Sequence, residues 1–595
     1  MRLCTLLAVA MAGGLAWGAQ DIIPLNEVRA GMTGHGLTVV AGTEVARFEV
    51  EVVGVLDEPG HMNDFIIVRA FGAAIDRSGG IAQGMSGSPV YLEGRLAGAL
   101  SRAATWSAEP RRPLGLLTPI ESMLAVFEEI KAWAPPTQQE EVPLPKEEKL
   151  MSLGLERLSL VTEPPDQPDP GTLYAWPLSA PVMASGLSQR ALEALRTGVD
   201  LRLRDHPLLA LRPTWRGRLA GLTELGAGRV LQAPAAPQSP AALPLEAGAP
   251  VGVGLLAGDV DVGALGTVTF SQGNAVVAFG HPFLFSGPVD YFLAAAHVFD
   301  TVAALDAPYK LGTMGEVRGA VVADRWAAVG GRTDLAARPV ELGFSVWDEG
   351  RGQGTELGVR MVREPRLEPL LYFVAGLEAA DRTLDRIGPG TVSLRYTIEG
   401  TGLPEPLERR NIFLSTEDVG AYVPWEAAVV LDVLEYNEFA DPALTRVTME
   451  ASVSPELRAA RVLDVALDND SYAPGDTVGF TVYLQDWRGD QTTWSGNLRI
   501  PTDINTPFVE LRAYGGPRPP ERGEAGPLIE SIGDLVAYIE DIPAYDTLTV
   551  ELFALDPISE LMGEAWVYGV DDVSVSVGGA VVYDEVSIII PLDKG

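Results

Sequence analysis

The sequence predicts a mainly β chain, with a barrel-type region in its first part and an immunoglobulin-like β-sandwich at its end. Three observations carry that expectation. Across residues 22–71, short alternating apolar runs flank turns that contain glycine. Gly36-Leu37-Thr38-Val39-Val40, the turn Ala41-Gly42-Thr43-Glu44 and the run 45–55 read as a hairpin. The pattern returns at Thr267-Val268-Thr269-Phe270, Ser271-Gln272-Gly273-Asn274 and Ala275-Val276-Val277-Ala278-Phe279. From about 458 to 595 strand follows strand, and Tyr472-Ala473-Pro474-Gly475-Asp476-Thr477-Val478 with Phe480-Thr481-Val482-Tyr483-Leu484 reads as the opening edge of the sandwich.

The chain has 595 residues, enough for about four domains at roughly 150 residues each. Its 80 acidic and 44 basic residues leave a formal charge of −36. That balance lacks the basic stripe a nucleic acid needs and opposes docking on anionic lipid. The apolar fraction of 47% supports several packed cores.

Residues 1–18 read as a secretory signal: Arg2 is a short positive region, 3–15 are almost wholly apolar, and Ala16-Trp17-Gly18 suits cleavage before Ala19. A short anchor helix is the alternative. Cys4, the one cysteine, falls inside this segment, so the mature chain would hold no thiol nucleophile, Cys-bound metal or disulfide. No later run is long enough to span a membrane, so the expected product is exported to the periplasm or the extracellular space.

Domain bounds follow from composition. Residues 19–133 form the first β-rich region, and 134–170 are a Pro/Glu-rich linker. Residues 171–250 are mixed, with a helical stretch at 188–196 and a Pro/Ala tract from 233 to 250. Residues 251–400 are β-rich, 401–457 carry a helix at 423–436 with Pro424 in its first turn, and 458–595 are the sandwich. His297 falls in an Ala-rich run that reads as helix. Asp468-Asn469-Asp470 lacks the spacing of a calcium loop and reads as a turn.

The stretch that carries chemistry is Gly79-Gly80-Ile81-Ala82-Gln83-Gly84-Met85-Ser86-Gly87-Ser88-Pro89, followed by a strand, a Glu93-Gly94 turn and a second strand. A serine peptidase of the double-barrel, chymotrypsin-like type needs this order. The nucleophile sits on a tight loop whose N–H groups point at the scissile carbonyl, and Gly84 and Ser86 would donate those N–H groups. A Gly-rich β-turn without chemistry is the plain alternative for Ser86. Thr118-Pro119-Ile120-Glu121 then reads as a capping box opening a helix whose apolar face is Ile120, Met123, Leu124, Phe127 and Ile130.

Gly79 to Pro89 resembles the peptidase family of the stage IV sporulation protein B (SpoIVB), whose signature reads Gly-Gly-Ile-x-x-Gly-Met-Ser-Gly-Ser-Pro. Gly31-Met32-Thr33-Gly34-His35-Gly36-Leu37-Thr38-Val39 is similar to sequences in the same family. So is Gly266-Thr267-Val268-Thr269-Phe270 through Ala278-Phe279-Gly280-His281-Pro282-Phe283, which resembles its Gly-Thr-x-Thr-Phe…Gly-His segment. The resemblance covers about 29–130 and 250–330. It implies Ser86 as nucleophile and His281 as general base, against the alternative of a core histidine.

Two features depart from the family. Its His segment precedes its Ser segment, whereas here Ser86 comes first, as in a permuted chain order. Its acid lies just upstream of the serine, where this chain reads Ala70-Phe71-Gly72; Asp64 and Asp76 are the nearest carboxylates, and Asp64 is the candidate, with a Ser–His dyad and an ordinary surface carboxylate as the alternatives. The family's PDZ-type domain has no counterpart. The resemblance implies an exported serine endopeptidase acting on peptides or proteins, itself included, with 134–170 and 233–250 as exposed tracts for self-cleavage. It implies no cofactor and no metal. A non-catalytic cell-envelope binding protein that keeps the scaffold is the rival, and oligomeric state cannot be read.

Overall fold

The computed structural model describes residues 21–56, 64–105, 113–131, 157–160, 172–177, 180–201, 207–208, 218–235, 244–304, 308–518, 528–555 and 567–593. The expected signal segment with Cys4, most of the expected linker, His61 and His206 lie outside them.

The first alternating runs close into a barrel. Strands β1 (Thr33–Val39), β2 (Val45–Leu56), β3 (Phe65–Phe71), β4 (Pro89–Leu92), β5 (Arg95–Thr105) and β6 (Leu114–Pro119) pair in the order β4-β1-β2-β3-β6-β5, and β4 pairs with β5 to complete the ring. One face of each alternation fills the barrel: Phe48, Val50, Ile66, Val68, Val90, Leu92, Leu100 and Leu117 are buried together. Glu93 and Gly94, both at positive φ, make the expected two-residue turn. A short helix α1 (Ala73–Ser78) leads into the serine loop.

Helix α2 (Ile120–Lys131) buries all five residues of its expected face and packs Phe127 edge-on against Phe270, 4.9 Å away between centroids. At roughly 1.5–3 kcal/mol per buried large apolar side chain, that face is a major tie between the N-terminal barrel and the sheet that follows. The expected capping box does not form. Thr118 Oγ1 donates instead to the Gly280 carbonyl at 2.6 Å, and Glu121 accepts the Leu25 N–H at 2.9 Å. Tertiary partners outbid the local cap.

Two further strands, β7 (Arg157–Leu160) and β8 (Thr172–Pro177), add to the barrel sheet through β5. After β9 (Val182–Ser185) comes helix α3 (Gln189–Thr197), capped by the Ser188 hydroxyl. A small pair, β10 (Gly198–Asp200) and β11 (Arg218–Ala220), and β12 (Val230–Gln232) follow.

A second ring is built from β13 (Pro250–Gly258), β14 (Asp261–Gln272), β15 (Ala275–Ala278), β16 (Gly287–Val302), β17 (Tyr309–Arg325) and β18 (Ala328–Arg332). They pair as β14-β15-β18-β17-β16-β13, and a β13–β14 pairing closes the circuit. His297 is on β16, a strand and not the expected helix, because the Ala-rich run is paired on both sides within the ring. The sheet continues through β19 (Val340–Asp348), β20 (Gln353–Met361), β21 (Gly390–Gly400), β22 (Leu407–Ser415) and β23 (Leu444–Ser454). Helices α4 (Glu368–Leu384) and α5 (Trp425–Glu435) share its apolar core.

The C-terminal part is a β-sandwich. One sheet orders β26 (Gln491–Arg499), β25 (Thr477–Asp486), β24 (Ala459–Leu467) and β30 (Val581–Tyr583). The other orders β29 (Val567–Ser576), β28 (Thr547–Leu555), β27 (Phe508–Gly515) and β31 (Glu585–Pro591), with helix α6 (Ile532–Asp541) between β27 and β28 in sequence. Inward residues of both sheets, such as Phe480, Val482, Leu511 and Val550, form one core, as an immunoglobulin-like sandwich requires. Among the described residues no helix is long and apolar enough to cross a membrane.

Candidate active site

The serine loop hangs between α1 and β4. From Gln83 to Ser88, four N–H groups are used: Gln83 to Pro308 O, Met85 to Ala82 O, Gly87 to Leu100 O and Ser88 to Met85 O, at 2.8–3.0 Å. Gly84 and Ser86 N–H groups have no acceptor among the described residues. Their directions are set by the carbonyls of the same peptide units. Gln83 O accepts the Lys310 N–H at 2.9 Å and Met85 O accepts the Ser88 N–H at 3.0 Å. A trans peptide points its N–H opposite its C=O, so both free N–H groups are aimed by anchored carbonyls. Two buried, preset donors around a hydroxyl are the requirement for holding an oxyanion.

The second barrel grips this loop through β14. The Thr267 N–H donates to Ser86 O at 2.9 Å, Thr267 Oγ1 donates to Gly84 O at 3.0 Å, and Thr269 Oγ1 donates to Gly87 O at 2.7 Å. Contact is so close at Gly87 (φ +90°) that a Cβ would lie 1.9 Å from Thr267 O and 2.5 Å from Phe279 N. The residue after Ser86 therefore touches the backbone two residues before His281.

The histidine arrives by an unusual turn. Phe279 and Gly280 both take left-handed φ, +71° and +69°, which for Phe279 is a strained conformation held by its surroundings. Phe279 N–H bonds Thr267 O, its ring covers Gly266, and Thr118 holds the Gly280 carbonyl. His281 is 3% exposed, and its Nδ1 lies 2.7 Å from Pro282 O. A carbonyl only accepts, so Nδ1 carries the proton and, in the neutral ring, Nε2 presents the lone pair. The following turn is fixed by Asp324, a buried carboxylate that accepts N–H bonds from Phe283, Leu284 and Ser286 at 2.7, 2.8 and 3.2 Å. Burial outweighs those donors and raises its pKa above the ordinary value.

Ser86 is fully buried and its hydroxyl makes no hydrogen bond among the described residues, so no Ser86–His281 bond is formed in this structure. Catalytic hydrogen bonds often tighten only with substrate in place. Asp64 is half-buried just ahead of β3. Among the described residues no group of three or more His, Cys, Asp or Glu side chains is placed to hold a metal.

Sequence reasoning passed over Lys310. It lies at the start of β17, 1% exposed, with its stem against Gly84 and its Nζ on Thr38 Oγ1 (3.0 Å) and Thr267 Oγ1 (3.1 Å). Burial lowers its pKa to about 7. The one available signal was its place in the alternation Lys310-Gly312-Met314, whose members point inward.

Residues 19–124 match the family model of the SpoIVB peptidase S55. The match covers the first barrel with Ser86, and it supports a SpoIVB-like assignment of this region. The strands that bring His281 lie beyond it. The SpoIVB likeness and the two-barrel geometry thus meet at the serine loop from independent directions. Neither a curated protein nor a solved structure matches the chain.

Proposed function

We propose that the protein is an exported serine endopeptidase that cuts peptides or proteins outside the cytoplasm. Ser86 Oγ attacks the scissile carbonyl while His281 Nε2 takes its proton. The Gly84 and Ser86 N–H groups hold the oxyanion. Collapse expels the amine, which receives the proton from His281, and water then releases the acyl group by the same route. The observation that carries the reading is the pair of unspent, carbonyl-anchored N–H groups flanking a serine whose loop is clasped to the histidine segment. Export rests on the N-terminal signal pattern, and self-processing on the Pro/Glu-rich and Pro/Ala-rich composition of 134–170 and 233–250.

A fluorophosphonate probe tests the chemistry. Wild type should label, and Ser86→Ala and His281→Ala should both lose labelling; a wild type that stays unlabelled across pH sinks the peptidase. Asp64→Asn assigns the acid. A loss of tenfold or more makes Asp64 the third member, and an unchanged rate leaves ring orientation to the Pro282 carbonyl. One observation favours a second reading, a binding protein on an inert scaffold: Ser86 is wholly enclosed and makes no bond to a base among the described residues. The unlabelled outcome would support it.

A further inference from the structure

One edge of β5 carries three partners in succession. Residues 95–99 pair with β4. Leu100 then accepts the Gly87 N–H and donates to Ser88 O, at 2.8 and 3.0 Å. From there β8 takes over, antiparallel, with Arg102 opposite Pro177, Ala103 opposite Trp176, Ala104 opposite Ala175 and Thr105 opposite Tyr174. The opposite edge of β5 is occupied by β6 from Gly98 to Ala104. So β8 lies on the same rail as the nucleophile loop, and only Ser101 separates its last paired position from Leu100.

At no more than about 3.4 Å per residue across the register shift between Leu100 and Arg102, the backbone of β8 ends its pairing within roughly 7 Å along the strand from the residue that anchors Gly87 and Ser88. It also runs toward the serine, from Tyr174 to Pro177. A peptide to be cut must lie extended beside the nucleophile, and the cheapest way to hold an extended backbone without regard to side chains is to add it to an open strand edge. The open edge next to Ser86 is 102–105, and the chain has filled it with its own strand.

We propose that the 102–105 edge of β5 is the docking site for an extended peptide segment, and that β8 occupies it as a built-in competitor which keeps the serine closed to substrate. This rests on the peptidase reading of Ser86 and adds a regulator to the same site. The full enclosure of Ser86 accords with a closed form.

The test locks and releases the strand. In a Cys4→Ser background, Ala104→Cys with Ala175→Cys places two thiols at directly opposed positions. Oxidation should join them and cut the fluorophosphonate labelling rate at least tenfold, with full recovery on reduction. Ala175→Pro should loosen β8, raise the labelling rate at least tenfold and expose the amides of 102–105 to hydrogen exchange. A synthetic peptide of residues 171–177 should reverse both effects.

Failure of the disulfide to form in the folded protein, or equal labelling of locked and reduced forms, overturns the proposal. So does released exchange in Ala175→Pro without faster labelling. Should Ala175→Pro not fold, the locked and reduced pair decides alone. Should no form label at all, the peptidase reading has failed. The edge is then judged by whether the peptide restores protection at 102–105, since failure to restore it removes the docking site as well.

Discussion

Replacing Lys310 by methionine should make the protein more stable at low pH and lose that advantage as pH rises. The ammonium is buried against Gly84, with only the Thr38 and Thr267 hydroxyls as acceptors among the described residues. Burial brings its pKa from 10.5 to about 7. Below pH 7 both folded and unfolded chains carry the proton, and the folded state bears the whole cost of the buried charge. Between pH 7 and about 10.4 the unfolded chain keeps a proton that the folded chain has released, so wild-type stability climbs with pH. At about 1.4 kcal/mol per pH unit the climb totals roughly 4–5 kcal/mol.

Methionine removes the titration and also two hydrogen bonds worth about 1–3 kcal/mol together. The variant should therefore lead by about 2–3 kcal/mol at pH 6. It should trail wild type near pH 10. Urea unfolding at pH 6, 8 and 10 gives the comparison. It is followed by hydrogen exchange in peptides covering 81–90 and 308–325, so that the barrels are read apart from the sandwich. Parallel wild-type and variant curves would refute the reasoning, because a lysine charged in both states at every pH cannot produce the crossing.

Other outcomes follow from the same junction. Gly87→Ala should cost more than about 3 kcal/mol, since its Cβ would overlap Thr267 O at 1.9 Å on a backbone at φ +90°, and thermal unfolding of the purified variant checks it. Asp324→Asn replaces one accepting oxygen with a donor facing the N–H groups of the turn after His281. About 1–3 kcal/mol should be lost locally, seen as faster exchange at 279–288 and slower probe labelling.

Local signals in the sequence were legible where the fold obeys them. The alternations around Thr38 and Phe48 became barrel strands, the 120–130 face became the buried side of α2, and the helical stretch at 188–196 became α3. What escaped was non-local. Thr118 and Glu121 have the spacing of a capping box, but partners 162 and 96 residues away claim their side chains. His297 stands in an Ala-rich stretch of good helix propensity, yet ring closure pairs that stretch on both edges. Lys310 looked like any strand lysine, because only the meeting of β1, β14 and the serine loop makes it an interior one. The pairing of β8 with β5 joins residues some seventy positions apart and leaves no trace in either segment.

The reversed order of serine and histidine segments ceases to be an obstacle once the junction is examined at Thr267. Its N–H holds Ser86 O and its carbonyl receives Phe279 N–H, so a single residue of β14 ties both segments whichever comes first in the chain. These are main-chain bonds, and Thr267→Val leaves them intact. That substitution removes only Oγ1, which links Lys310 Nζ to Gly84 O. If the strut from Lys310 through Thr267 to Gly84 O holds the Gly84–Met85 peptide that lies between the two oxyanion donors, then Thr267→Val, Lys310→Met and the double variant should slow probe labelling by nearly the same factor. Each breaks the same chain of contacts. The barrels should stay docked in all three, with protection at 81–90 maintained. Additive losses in the double variant would show that the lysine and the threonine act separately, and the strut would have to be abandoned.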